Sequence, residues 1–232
     1  MAQKIRLTVS KKELIAPHMY LVTFRLVSPP TITFTAGQNM MLMIAPGVNR
    51  TMSIASPPSS DTELLMLHDV SPMGPGSQWT MGLTIGDSAN VVAPTGGALS
   101  FLPTPKRKVL IATGTGIAPF RSMILDALER RLPSVIMLYW GVRHEEDIYW
   151  KNEFDMLAKN QLNFSWHLIL SKPTSVWRGM TGHVTEHVLN DEKDLANNEF
   201  YLCGSRAMTE EVRSKLLDQN VPKEQIKSEL FF

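Results

Sequence analysis

The run "KVLIATGTGIAPFRSMILDALERR", Lys108 to Arg131, constrains the fold more than any other part of the chain. Its first six residues are a short, nearly continuous apolar run, the pattern of a strand buried on both faces. Its last residues place Ile117, Phe120, Ile124 and Leu128 at helical spacing. Between them Gly114-Thr115-Gly116 lets the backbone turn sharply. A strand running through a glycine turn into a helix is half of a βαβ unit, and the rest of the chain repeats it. "SVIMLYWG", "FSWHLIL" and "EFYLCG" read as strands, while "EDIYWKNEFDMLAKN", "TGHVTEHVLN" and "SRAMTEEVRSKLLDQN" read as helices, the last opened by Ser205 as N-cap. This alternation predicts an α/β, Rossmann-like domain with a parallel sheet covered on both faces.

Residues 1–100 follow a different rule. Six short runs, "IRLTVSKKEL", "MYLVTFRLV", "NMMLMIA", "RTMSIAS", "ELLMLHDV" and "SANVVAP", are separated by Gly, Pro and Asn. In "MYLVTFRL" the side chains of Tyr20, Val22, Phe24 and Leu26 share one face. Such strands fit a small antiparallel β-barrel or sandwich, interrupted by one short helix beginning near Ser77 in "GSQWTMGL". Charge density changes at the same place: residues 1–100 hold only 11 Asp, Glu, Lys and Arg residues. The Pro- and Gly-rich "APTGGALSFLPTPKRK" marks the change, giving domains at 1–102 and 103–232.

Bulk properties exclude some functions. The net charge of +1 gives no electrostatic argument for nucleic acid. No apolar run approaches the roughly 20 residues that span a bilayer. "MAQKIRLTVS" lacks the apolar core of a signal peptide, so a cytoplasmic location is expected. The single cysteine, Cys203, rules out an internal disulfide and any iron–sulfur cluster held by several cysteines of this chain. His183 and His187 are four apart on a predicted helix, but with no Cys or third histidine nearby a surface helix is expected and no metal site.

The helix after Gly114–Gly116 aims its positive dipole end and unpaired N–H groups at the turn, which suits an anion. Pro119 falls in its first turn, where a missing N–H costs little, and Pro at that position leaves the G-x-G-x-x-G pattern incomplete. A plain strand-to-helix turn is the alternative. "FYLCGSRAM" ends another strand in Cys203-Gly204, and strand ends in a parallel sheet gather along one edge, so Cys203 should lie near Gly114. Cys203 is otherwise a small buried hydrophobe.

Taken in order, "RTMSIAS", "GPGSQWT", "GDSANVVAPTGG", "GTGIAPF", "LCGSRAMTEEV" and "ELFF" resemble the motifs of the ferredoxin–NADP reductase superfamily, closest to cluster-free flavin reductases and oxygenase reductase modules. The resemblance covers essentially the whole chain and implies a flavin-binding barrel followed by an NAD(P)-binding domain. It implies that Arg50 pairs with a flavin phosphate, with Thr51, Met52 and Ser53 along the flavin and Ser53 near its N5. Gly76 and Ser77 would meet phosphate at a short helix N-terminus, and Gly114, Thr115 and Gly116 would receive the dinucleotide pyrophosphate. Cys203 and Gly204 would flank the nicotinamide, Glu229 would serve as a proton relay, and Phe231 or Phe232 would cover the flavin ring. Ser53, Cys203 and Glu229 are thus the expected catalytic residues.

The family usually has an aromatic residue where this chain has Met52, whose thioether stacks less well on a flavin; Trp79 could compensate. FAD is favoured over FMN. In "RHEEDIYW", Arg143 could meet a ribose or phosphate, while Glu145, Glu146 and Asp147 would repel a 2′-phosphate, so NADH is favoured over NADPH. The same acids also suit a helix start. The expected activity is hydride transfer from NAD(P)H to flavin, with electrons passed on to free flavin or to a separate acceptor protein. A sensor of NAD(P) or flavin without turnover is the alternative from another class.

Overall fold

A computed structural model describes residues 2–230. Contacts divide the chain into two compact units. The first runs to Ser100 and takes in Ala118–Asp126; the second holds Phe101–Ile117 and the chain from Ala127 on.

The first unit is an antiparallel sheet of β1 (Gln3–Ala16), β2 (Met19–Ser28), β3 (Asn39–Ala45), β4 (Val48–Ser53), β5 (Glu63–Asp69) and β6 (Ser88–Thr95). Their order is β4-β3-β6-β1-β2-β5. Alternate residues of the curled sheet face inward. Ile5, Leu7 and Val9 of β1, Val22, Phe24 and Leu26 of β2, and Met40 and Leu42 of β3 are all buried in one core. The expected inward face of β2 is therefore the observed one, with Tyr20 packed half-buried at its end. β4 and β5 stand at opposite edges of the hydrogen-bonded order, yet the chain just after β4 joins them. Ala55 N donates to Leu65 O at 2.9 Å, and Ser56 Oγ accepts from Leu65 N at 3.2 Å. The predicted barrel is thus a curled, half-barrel sheet whose edges are tied by a few bonds.

Strand β4 is shifted against the run "RTMSIAS", beginning at Val48 and stopping at Ser53. The following Ile54 and Ala55 are fully buried but pair with Gln38 and Leu65 rather than continuing the β3 ladder. Helix α1 (Pro75–Gly82) starts two residues before Ser77, because Pro75 has the fixed φ and missing N–H that suit a first turn. At its other end Lys12 Nζ donates to Met81 O at 2.6 Å and Leu83 O at 2.8 Å, placing a cation on carbonyls the helix leaves unpaired.

The second unit is a parallel sheet in the order β10-β9-β8-β7-β11-β12. It is built from β7 (Arg107–Thr113), β8 (Ile136–Val142), β9 (Phe164–Leu170), β10 (Met180–Thr181), β11 (Asn198–Gly204) and β12 (Ile226–Leu230). β7 is followed by α2 (Ile117–Glu129), most of which belongs to the first unit, and the helices of the second unit are α3 (Lys151–Asn160), α4 (Val184–Asp191) and α5 (Arg206–Asp218). The four predicted strands are the four central ones; β10 and β12 are additions at the edges. On α5, Ser205 is the N-cap as expected, its Oγ accepting from Met208 N at 3.3 Å. The predicted helix over 146–160 is broken: Trp150 sits in the left-handed region at φ 55, between a 3-10 turn at Glu145–Asp147 and α3.

No helix of the described residues is long and apolar enough to cross a membrane.

Candidate functional site

In the first unit the segment "RTMS" lies on an edge strand paired only with β3. Arg50 faces Leu42 across the ladder, Thr51 faces Met41, Met52 faces Met40 and Ser53 faces Asn39. Arg50 and Thr51 are exposed, whereas Met52 is half-buried against the barrel core. Strict alternation would have put Arg50 and Met52 in like surroundings. Instead β4 sinks toward its end, so that Ser53 is buried and its hydroxyl has no hydrogen-bond partner among the described residues. An unpaired buried hydroxyl is costly, and a bound polar group beside Ser53 would relieve it.

Arg50 and Gly76 are brought together. A β-carbon on Gly76 would stand 3.3 Å from Arg50 Cγ and 3.5 Å from His68 Cε1. The guanidinium stem therefore lies along the first turn of α1, where Gly76 and Ser77 are buried. His68 of β5 completes the cluster: its Nδ1 is 2.7 Å from Oγ1 of Thr80, a fully buried residue of α1. Burial lowers the His68 pKa; Asp69 opposes that shift, and the Arg50 charge adds to it. A guanidinium beside a helix start is a suitable place for phosphate. His68 was not singled out from the sequence, where nothing distinguishes it from any histidine on a half-buried strand. Trp79 stacks on Phe24 at a centroid distance of 6.4 Å and packs on the core.

In the second unit the glycine turn and the end of β11 are in direct contact. Ala112 of β7 is flanked in register by Cys203 of β11 and Trp140 of β8. A β-carbon on Gly116 would overlap the Cys203 carbonyl oxygen and stand 2.7 Å from Gly204 N. One on Gly204, at φ 147, would stand 2.8 Å from Thr113 N. Thr113 Oγ1 accepts from Ser205 N at 2.9 Å, fastening the end of β7 to the start of α5. Gly114 is in the left-handed region at φ 52, and the residues 114–116 form a 3-10 turn that leads directly into α2.

Cys203 is fully buried, and burial raises its thiol well above the usual range, with the Glu229 charge adding to the shift. Glu229 is its register partner on β12. The thiol is therefore a neutral, small side chain and not a thiolate nucleophile. Phe231 and Phe232 lie outside the described residues.

Arg143, just beyond β8, is exposed. The acids after it are largely committed to local structure. Asp147 Oδ2 accepts from His144 N at 2.9 Å, closing the 3-10 turn. Glu145 Oε1 accepts from Thr174 N at 2.8 Å and Thr174 Oγ1 at 2.6 Å, and the Thr174 side-chain bond is the main cause that holds its carboxyl below the usual range. Glu146 is exposed. Of the two histidines, His187 Nε2 lies 2.8 Å from Thr181 O and His183 is the N-cap residue of α4.

Comparison with known proteins agrees with this anatomy. Residues 110–214 match the model of the oxidoreductase NAD-binding domain family. A subunit of the Na(+)-translocating NADH-quinone reductase of Pseudoalteromonas atlantica is 35% identical over 180 residues, 75% of this chain and 42% of that protein. The match thus spans a little under half the length of that relative. Ferredoxin–NADP reductase B of Sorangium cellulosum is 28% identical over 208 residues, 86% of this chain and 85% of that one. Among solved structures, the Amycolatopsis cytochrome P450 reductase GcoB superposes with a TM-score of 0.90 at 26% identity, covering 99% of this chain and 70% of that one. The two units, the glycine turn and these relatives together support a likeness of this chain, in fold and in sequence, to the ferredoxin–NADP reductase superfamily.

Proposed function

We propose that this chain is an NAD(P)H-dependent flavin oxidoreductase that passes electrons from reduced nicotinamide to an acceptor outside the chain. The observation that carries the reading is the contact between Gly116 and the Cys203–Gly204 strand end, at the carboxyl edge of a parallel sheet where nucleotides bind. Bound, the two cofactors would supply the chemistry, a hydride leaving nicotinamide C4 for flavin N5.

The protein's part is alignment and charge. Arg50, with Gly76 and Ser77 at the start of α1, would hold the flavin phosphate, and the Ser53 hydroxyl would find its missing partner on the flavin. Thr51 and Met52 would lie along it. Gly114, Thr115 and Gly116 would hold the dinucleotide pyrophosphate, and Cys203 and Gly204 are small enough to leave room for a flat ring. A buried neutral thiol at Cys203 adds no charge beside the nicotinamide. Glu229, next to Cys203, is the proposed proton relay.

FAD is the favoured flavin and NADH the favoured donor. Glu145, kept ionised by Thr174, and exposed Glu146 put negative charge next to Arg143 where a 2′-phosphate would have to sit. Free flavin or a separate acceptor protein would take the electrons; the reductase relatives favour a protein acceptor. Such a reaction suits the cytoplasm.

The test is to purify the protein, measure flavin retained through dialysis, and follow oxidation of NADH and NADPH with and without added FAD. Arg50→Gln should weaken FAD and FMN binding by about tenfold, the weight of one charge-assisted contact, and leave riboflavin unaffected. Absence of NAD(P)H oxidation in every condition would refute the enzymatic reading and leave a binding module.

A further inference from the structure

The Gly114 carbonyl receives an unusual number of donors. Within the 3-10 turn it accepts from Ile117 N. It also accepts from Trp140 Nε1 at 3.1 Å and from Tyr149 OH at 3.1 Å. Both aromatic residues are buried. Their rings meet edge to face at 4.8 Å, and Trp140 is packed in turn against Phe154 and Trp166 at 6.4 and 6.5 Å. The two polar tips are thus carried on a close-packed aromatic cluster between β8, β9 and α3, with little freedom to move.

The consequence follows from peptide geometry. The Gly114 carbonyl and the Thr115 N–H belong to one planar trans unit, so they point in opposite directions. Fixing the oxygen on Trp140 and Tyr149 fixes the Thr115 N–H on the far side. It also keeps a carbonyl dipole, at a glycine whose missing β-carbon gives the backbone more than one accessible conformation, from turning its negative end toward an anion. Thr115 itself is half-exposed.

We infer that Trp140 and Tyr149 are positioning residues for the dinucleotide pyrophosphate: they lock the Gly114–Thr115 peptide with its N–H presented to the anion. They act through that peptide and do not touch the ligand. The inference rests on the proposed nucleotide reading of the glycine turn, and it assigns two side chains from outside the glycine motif to that site.

Tyr149→Phe removes the hydroxyl and keeps the ring, so the aromatic cluster stays packed. Binding of ADP-ribose, inorganic pyrophosphate and FAD to wild type and variant would be measured by calorimetry, with a thermal melt to establish folding. Loss of one hydrogen bond corresponds to about 3–10-fold in affinity. The expected result is that factor for both ADP-ribose and pyrophosphate, with FAD affinity unchanged and, in turnover, a raised KM for NADH at constant kcat. Trp140→Phe should act in the same direction. Unchanged ADP-ribose affinity in Tyr149→Phe would overturn the inference, as would an equal loss in FAD affinity, which would mark general loosening. Failure of the wild-type protein to bind ADP-ribose would defeat the nucleotide reading itself.

Discussion

Gly116 presses against the backbone of Cys203: a side chain there would overlap the Cys203 carbonyl oxygen and crowd Gly204 N at 2.7 Å. Backbone atoms cannot swing aside as a flexible side chain can. Gly116→Ala should therefore cost about 1–3 kcal/mol, the usual range for overpacking a core, and Gly204→Ala at least as much because its φ of 147 adds backbone strain. Gly96, where a β-carbon would meet nothing within 4 Å, is the control and should tolerate alanine. Denaturant melts of the three variants check the ranking.

A buried ion pair offers a second test. Lys108 Nζ and Glu199 Oε2 are 2.5 Å apart with side chains almost wholly buried. Lys108 also donates to Leu102 O and Thr104 O at 3.0 Å each, while Glu199 accepts from Tyr201 OH at 2.9 Å and from Thr104 Oγ1. Tyr201 OH in turn accepts from Leu102 N at 2.9 Å, so the network ties residues 102–104 to β7 and β11. Lys108→Met leaves a buried carboxylate uncompensated and should destabilise by about 3–5 kcal/mol. Lys108→Met combined with Glu199→Leu should recover much of that loss. A double variant as unstable as the single would show that the network, rather than the lone charge, holds this region.

His68 should make stability depend on pH in the mildly acidic range. Burial, with Arg50 adding and Asp69 opposing, lowers its pKa in the folded state below that of an unfolded histidine. Between those two values the unfolded chain binds more protons than the folded one, so stability rises with pH there. Going down in pH, the loss begins at about 6.5, the unfolded value, and continues to the folded pKa. His68→Gln should flatten that slope of melting temperature against pH, and an unchanged slope would remove His68 from the account.

Cys203 should resist thiol reagents in the native state. It is fully buried and its thiol is pushed up by burial and by Glu229. Modification by a neutral-pH alkylating reagent should proceed only as fast as unfolding, rising steeply when denaturant is added. Rapid labelling of native protein would contradict the neutral, small-residue role given to it.

Much of the architecture was legible because two periodicities do not overlap. The alternation of Val22, Phe24 and Leu26 and the helical spacing of Ile117, Phe120, Ile124 and Leu128 each place a buried face without reference to anything distant. β12 was not legible: "IKSEL" is mostly half-buried and polar, as an edge strand can be, and its partner β11 supplies the pairing. The break at Trp150 was hidden for a similar reason, since helical propensity is overridden there by packing of its ring against Tyr149 at 5.3 Å. Around the candidate sites, glycines could be read because turns announce them. Trp140 and Tyr149 could not, since their relation to Gly114 exists only once β8 is in register with β7.

The central claim is that hydride passes from NAD(P)H to a flavin held by this chain. The most direct measurement is anaerobic stopped-flow mixing of the FAD-loaded protein with NADH, watching the flavin absorbance. The account predicts rapid bleaching that saturates with NADH concentration and is slowed in Ser53→Ala. A flavin spectrum that stays oxidised with both NADH and NADPH, in protein shown to bind FAD, would contradict it.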